Sequence, residues 1–307
     1  MAIKGLRGVL APVVTPFTRD LAPDTKRFVR HCKWLLEHGC SGLAVFGTNS
    51  EANSLSAEER MMLLEELVQA GVPAEKLMPG TGCSALTDSV RLTAHAVKLG
   101  CAGALMLPPF YYKGVPDEGL FRNFSEVIER VADERLQVYL YHIPPVAQVP
   151  ITLGLIERLL KRYPKIVAGI KDSSGDWSNT KAVLDAFAAQ GFEVFAGSEV
   201  FLLRNMRAGG VGCITAGANV NPHGIDKAYQ GWKTPEAEAL QASIDAVRKV
   251  LQSQVSMIPA LKATIAHFAA DADWMTVRPP LVELTPEQQV QMIRELGDVG
   301  FDMPGLR

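Results

Sequence analysis

The 307-residue sequence lacks the features that would place it outside the ordinary globular classes. Its five cysteines (Cys32, Cys40, Cys83, Cys101, Cys213) are odd in number, scattered and without a Cys-x-x-Cys pair. That excludes a disulfide framework, argues against a thiolate zinc site and makes a reduced cytoplasm the expected compartment. No apolar run approaches the roughly 18 residues needed to span a bilayer, and the opening Met1-Ala2-Ile3-Lys4-Gly5 has no long apolar region with a cleavage site. Neither a membrane anchor nor a secretory leader is expected. Charge of one sign is also missing: 31 Lys and Arg against 33 Asp and Glu leave −2, without the basic footprint of a nucleic-acid binder. The six histidines form no His-Glu-x-x-His pattern, and proline and glycine punctuate the chain rather than gather in a linker.

Material for a core is ample, with 48% hydrophobic and 21% charged residues. Length alone predicts about two domains, although an α/β barrel can use 200 to 250 residues or more as one. Short, continuously apolar segments recur along the chain: 8–14, 42–46, 77–80, 103–107, 137–141, 166–170, 193–196 and 212–215. Runs of this kind suit a parallel sheet covered on both faces. Helical patterns lie between them, for example 24–37, 88–99, 117–131, 152–160 and 178–189. Ser56 with Glu59 three residues on is a capping box that starts a helix running to about Ala70. Eight strand–helix units predict a (β/α)8 barrel over residues 1–232. Residues 233–307 read as helical at 236–251, 258–268 and 286–296, an extension packed on the barrel as one structural unit.

In such a barrel the chemistry gathers where strands end. Those points carry Gly47-Thr48-Asn49-Ser50-Glu51, Tyr111-Tyr112, Tyr141-His142-Ile143-Pro144, Lys171-Asp172-Ser173, Gly197-Ser198-Glu199 and Ile214-Thr215. Lys171 closes an apolar run, so burial would disfavour its ammonium form and free an amine able to attack a ketone. A salt-bridged or phosphate-holding lysine satisfies the same position. Tyr141 can shuttle protons in the same space, or simply pack with its hydroxyl satisfied. Thr48 and the amides of Asn49 and Ser50 can bind a carboxylate, or form a turn leading into a helix. Glu51 reads as a helix-dipole partner, His142 as a structural neighbour, and Gly209-Gly210 as a tight turn.

Taken together the motifs resemble the pyruvate-dependent class I aldolases, the superfamily of dihydrodipicolinate synthase and N-acetylneuraminate lyase. The likeness covers nearly the whole chain. It rests on Val14-Thr15-Pro16-Phe17, on Gly47 to Glu51 against G-[ST]-T-G-E, on Tyr141 to Pro144 against Y-N-x-P, on Gly169-Ile170-Lys171-Asp172 against G-[IV]-K-[DQ], and on Arg278-Pro279-Pro280-Leu281 in the tail. The resemblance implies that Lys171 forms an imine with pyruvate or another 2-keto acid, with no metal or other cofactor, and that Tyr141 shuttles protons. It implies that Thr48 holds the keto acid's carboxylate, that Tyr112 crosses a dimer interface in a homotetramer, and that Ile214 lines the methyl side. No nucleic acid and no membrane enter as partners.

Departures from the family pattern bear on the substrate. Dihydrodipicolinate synthases carry an arginine shortly after Y-N-x-P, where Val146 stands here, which counts against that reaction. The lyases' G-Y-D-E string is Gly197-Ser198-Glu199-Val200 here, retaining one carboxylate. Ser173 sits where neuraminate lyases place a hydroxyl toward the substrate. A hydroxylated 2-keto acid is the expected substrate, cleaved or made by an aldol step, with a 2-keto-3-deoxy sugar acid dehydratase as the close alternative. A metal-dependent aldolase is disfavoured by the absence of a ligand set at the strand ends. A keto-acid sensor keeping the pocket is the non-enzymatic alternative.

Overall fold

The structure, a computed structural model, describes residues 5–306. β1 (Gly8–Ala11), α1 (Thr25–Glu37), β2 (Gly42–Leu43) and α2 (Ala57–Gln69) open the chain. They are followed by α3 (Leu86–Lys98), β3 (Ala104–Met106) and α4 (Asp117–Val131). β4 (Val138–His142) leads through the short α5 (Pro144–Ala147) into α6 (Leu153–Arg162), and β5 (Val167–Asp172) into α7 (Trp177–Phe187). β6 (Glu193–Ala196), α8 (Leu202–Arg207), β7 (Gly212–Ile214) and α9 (Pro222–Gln230) complete the alternation. Three helices then follow, α10 (Ala237–Gln252), α11 (Met257–Ala269) and α12 (Pro286–Asp298).

Local chemistry sets the helix starts. The Asp24 side chain accepts from the Arg27 amide at 2.9 Å, and that of Thr152 from the Leu155 amide at 3.0 Å. Ser56 and Glu59 form the expected reciprocal capping box. Each satisfies helix-terminal amides that lack an intrahelical partner.

All strand pairings are parallel, and the seven strands form one curled sheet in the order β2-β1-β7-β6-β5-β4-β3. The fold is α/β and TIM-barrel-like. The segment expected as a further strand at 77–80 is not one. It makes only single parallel bridges, Leu77 to Leu43 and Gly80 to Leu105, and Pro79 has no amide with which to continue a ladder. Its neighbours still bond to both sides: Met78 N donates to Leu43 O at 2.9 Å, Gly80 N to Val45 O at 2.7 Å, and Leu105 N to Pro79 O at 2.9 Å. The segment therefore lies between β2 and β3, the two ends of the sheet. Glycine is required at position 80, since a Cβ there would overlap the Phe46 carbonyl.

Inside the curled sheet, Leu10, Leu105, Tyr139, Tyr141, Phe195 and Ile214 belong to one apolar cluster. A larger cluster outside it runs without a break from the strands (Val9, Cys213) to the last helices (Leu251, Leu261, Met292, Leu296). Each such side chain contributes roughly 1.5–3 kcal/mol by leaving water, so α10 to α12 are held to the sheet by the same burial that holds the sheet together.

Candidate active site

β4 and β5 place the central pair. Tyr141 and Lys171 are register partners on these neighbouring strands, and both are 2% exposed. Parallel pairing turns partnered side chains to the same face, and the Lys171 Nζ lies 4.2 Å from the centre of the Tyr141 ring. The Tyr141 hydroxyl is 3.3 Å from Thr48 Oγ1, which a 3₁₀ turn at Thr48–Ser50 brings in after β2. All three line a cavity of about 520 Å3, a size suited to a small molecule.

Lys171 is not salt-bridged among the described residues. The buried ion pairs are Arg248–Glu199 and Lys262–Glu51, and Lys171 belongs to neither. The adjacent Asp172 is spent on structure: its carboxylate accepts from the Ser174 amide at 2.9 Å, Asn179 Nδ2 at 2.9 Å and Thr180 Oγ1 at 2.6 Å.

Of the other residues singled out in the sequence, Asn49, Ser173 and Gly197 also line the cavity. Gly197 is confined by packing, because a Cβ there would overlap Ser173 Oγ and crowd the Asp172 carbonyl. Four residues stand elsewhere. Ser50 is buried, donates its hydroxyl to the Val13 carbonyl and its amide to the Gly47 carbonyl at 3.1 Å. The amide expected to face a carboxylate is thus used within the turn. Glu199 does not line the cavity; its carboxylate accepts from the Thr215 hydroxyl and from Arg248 Nη1 at 3.1 Å. Ile214 is fully buried in the inner cluster with Tyr141. Tyr112 is 71% exposed and packs edge-on against Tyr111, with ring centres 5.4 Å apart. Lys113 ties the loop that carries it to α5, donating to the Ala147 carbonyl at 2.8 Å. His142 is structural, as its context in the sequence indicated: Nδ1 accepts from the Ile151 amide at 2.9 Å. Burial pushes its pKa down despite the nearby Asp172.

Two features escaped the sequence reading. The first is Arg248, which lines the cavity from α10. Gln241, on the same helix, fixes it to the turn after β6 by donating to the Glu199 carbonyl at 2.9 Å and accepting from the Leu203 amide at 3.0 Å. The second is the buried Glu51–Lys262 pair. Glu51, expected as a dipole partner, also accepts from the Arg278 amide at 2.9 Å. Burial pushes the Lys262 ammonium down to about 8, against the opposing pull of Glu51. A signal for it existed: Lys262 is the single charge in the apolar run 258–266. Val146 lines the cavity mouth at 61% exposure and offers no charge. Among the described residues no three His, Cys, Asp or Glu side chains cluster as a metal site, and no helix is long and apolar enough to cross a membrane.

Comparison with known proteins agrees with this geometry. Residues 5–298 match the model of the dihydrodipicolinate synthetase family. An uncharacterized DapA-like lyase from Chloroflexus aurantiacus is 34% identical over 92% of this chain and 93% of its own. A 4-hydroxy-tetrahydrodipicolinate synthase from Methanococcoides burtonii is 29% identical over 95% of this chain and 98% of its own. The crystal structure of dihydrodipicolinate synthase from Agrobacterium tumefaciens superposes with a TM-score of 0.88 at 30% identity, covering 95% of this chain and 99% of that one. With its strand-end lysine and tyrosine on a curled parallel sheet, this chain belongs to the dihydrodipicolinate synthetase family, a family of lyases.

Proposed function

We propose that the chain is a lyase in which Lys171 forms a Schiff base with pyruvate or a related 2-keto acid, so that a carbon–carbon bond beside the imine is made or broken. One observation carries this reading: a lysine withdrawn from water, without a carboxylate partner among the described residues, stands over a tyrosine whose hydroxyl touches Thr48. The neutral amine attacks the ketone carbon, and the carbinolamine loses its hydroxyl as water after gaining a proton, which Tyr141 is placed to relay. The protonated imine then draws electrons from the C3–C4 bond. As that bond breaks, the C4 hydroxyl gives up its proton, an aldehyde leaves, and the remaining enamine is protonated at C3 before water releases pyruvate. The reverse sequence is the condensation. Thr48 Oγ1 and the Asn49 amide are the groups we assign to the keto acid's carboxylate. The iminium is itself the electron sink, so the reading requires no cofactor.

Val146 supports a hydroxylated 2-keto acid over a dicarboxylic condensation, since that turn supplies no cation. We read the segment at 77–80 as the eighth stave of a (β/α)8 barrel, supported by its hydrogen bonds on both sides, and the described part of residues 233–307 as an extension of the same unit. We further propose a cytoplasmic homotetramer. The exposed Tyr111–Tyr112 pair supports a partner surface, and five unpaired cysteines support a reducing compartment.

The test is to incubate the protein with pyruvate, reduce with borohydride and map the adduct by mass spectrometry. The expected product is a single adduct on Lys171; an unmodified Lys171 would sink the reading. Product analysis over 2-keto-3-deoxy acids separates cleavage from loss of water.

A further inference from the structure

The cavity contains a guanidinium that the strand ends do not supply. Arg248 reaches it from α10, three helical turns into a segment that otherwise packs as structural tail. Its side chain is 13% exposed, with Nη1 on Glu199 at 3.1 Å and Nε on Gln252 at 3.5 Å. Among the described residues those are its hydrogen bonds, which leaves Nη2 free on a guanidinium that lines the same cavity as Lys171. An arginine left with an unused donor at a cavity wall is a recognition group of fixed geometry. The hydroxyl-bearing Ser173, Ser174 and Ser198 line the same space.

Charge decides what Arg248 recognises. Glu199 is 2% exposed and already balances it, so the pair is neutral overall. A second carboxylate placed at Arg248 would meet Glu199 within the same low-dielectric pocket and be repelled by it. A hydroxyl oxygen accepts from the free Nη2 without that penalty. We propose that Arg248 is a specificity-determining residue that donates to the hydroxyls at the distal end of a 2-keto acid, with Glu199 as the positioning residue that holds the guanidinium and tunes it toward neutral acceptors. The inference rests on Lys171 being the imine lysine and names what the far side of that site takes.

Borohydride trapping tests it without requiring turnover. The half-saturating concentration for adduct formation on Lys171 is measured for pyruvate and for three six-carbon acids: 2-ketohexanoate, 2-keto-3-deoxygluconate and 2-ketoadipate. Adducts of intact and cleaved chains are counted together. The wild-type protein is expected to trap the hydroxylated acid best of the three. Arg248→Met should raise its half-saturation about tenfold or more, the scale of a lost charge-assisted hydrogen bond, and change 2-ketohexanoate far less. Glu199→Gln, which removes the balancing charge while keeping the shape, should move preference toward 2-ketoadipate, a change that a purely structural role would not produce. Equal rises for all three acids in Arg248→Met, or none, would overturn the proposal. A wild-type preference for 2-ketoadipate that Arg248→Met abolishes would overturn the hydroxyl assignment in favour of a carboxylate site. Absence of any adduct on Lys171, pyruvate included, would remove the proposed function and this inference with it.

Discussion

Tyr141 and Lys171 face one another as register partners on adjacent parallel strands, with the lysine nitrogen 4.2 Å from the centre of the phenol ring. Backbone hydrogen bonds on both strands fix that separation, so it does not depend on a flexible loop. Lys171→Met is expected to abolish the pyruvate adduct and all turnover. Tyr141→Phe keeps the ring under the amine but removes the hydroxyl that meets Thr48. It should lower kcat by roughly 10²- to 10⁴-fold, the range for a positioned proton donor, while the adduct still forms on long incubation. Steady-state kinetics alongside mass spectrometry check both outcomes.

The Glu51–Lys262 pair predicts a stability effect. Both side chains are fully buried, so Glu51→Gln leaves an uncompensated charge and should destabilise the fold by about 3–5 kcal/mol. Replacing both, as Glu51→Met with Lys262→Met, should lose clearly less than the sum of the single changes, because no charge is then stranded. Urea denaturation of the wild type, Glu51→Met, Lys262→Met and the double variant measures the coupling, and Glu51→Gln the cost of a stranded charge.

His31 predicts acid sensitivity. It is buried between Trp34 and Trp274, with ring centres 5.8 and 5.1 Å away, and burial pushes its pKa down to about 3. In the unfolded chain the imidazole takes a proton near its ordinary value of about 6.5. Below that pH the unfolded state binds more protons than the folded one, so stability falls as pH drops from about 6.5 toward 3. The contribution lost between pH 7 and 4 is on the order of 3 kcal/mol. His31→Phe should show a shallower decline over that window in pH-dependent denaturation.

The strand alternation, the parallel sheet and the helix starts were legible because they follow from local chemistry. Asp24, Ser56 and Thr152 cap the helices that their spacing predicts, and continuous apolar runs mark covered strands. The central pair was legible for the same reason, since each residue ends an apolar run. What local chemistry could not show were partners far apart in the chain. Glu51 and Lys262 are 211 positions apart, and Arg248 and Glu199 are 49. α5 escaped because Pro144-Pro145 reads as loop, although proline is compatible with a first helical turn. The segment at 77–80 had the composition of a strand but not the amide that Pro79 lacks.

Val146 predicts a specificity change. It stands at the cavity mouth, is 61% exposed and has space around it. Val146→Arg should therefore be tolerated within about 0.5 kcal/mol and add a cation that Glu199 does not balance. Trapping of 2-ketoadipate should improve relative to 2-ketohexanoate, as half-saturation measurements would show.

The fixing of α10 to the turn after β6 has a consequence for how this molecule can change. The Tyr141–Lys171 pair is set by the register of two strands, whereas the far wall of the cavity is carried by a helix that folds onto the sheet from a later stretch of chain. Under the proposed function, the imine-forming pair and the arginine at the far wall thus lie in separate segments. Substitutions along α10 would then alter that wall while the strands that hold Tyr141 and Lys171 keep their alignment, and removing that helix would open the pocket on the side that Arg248 lines.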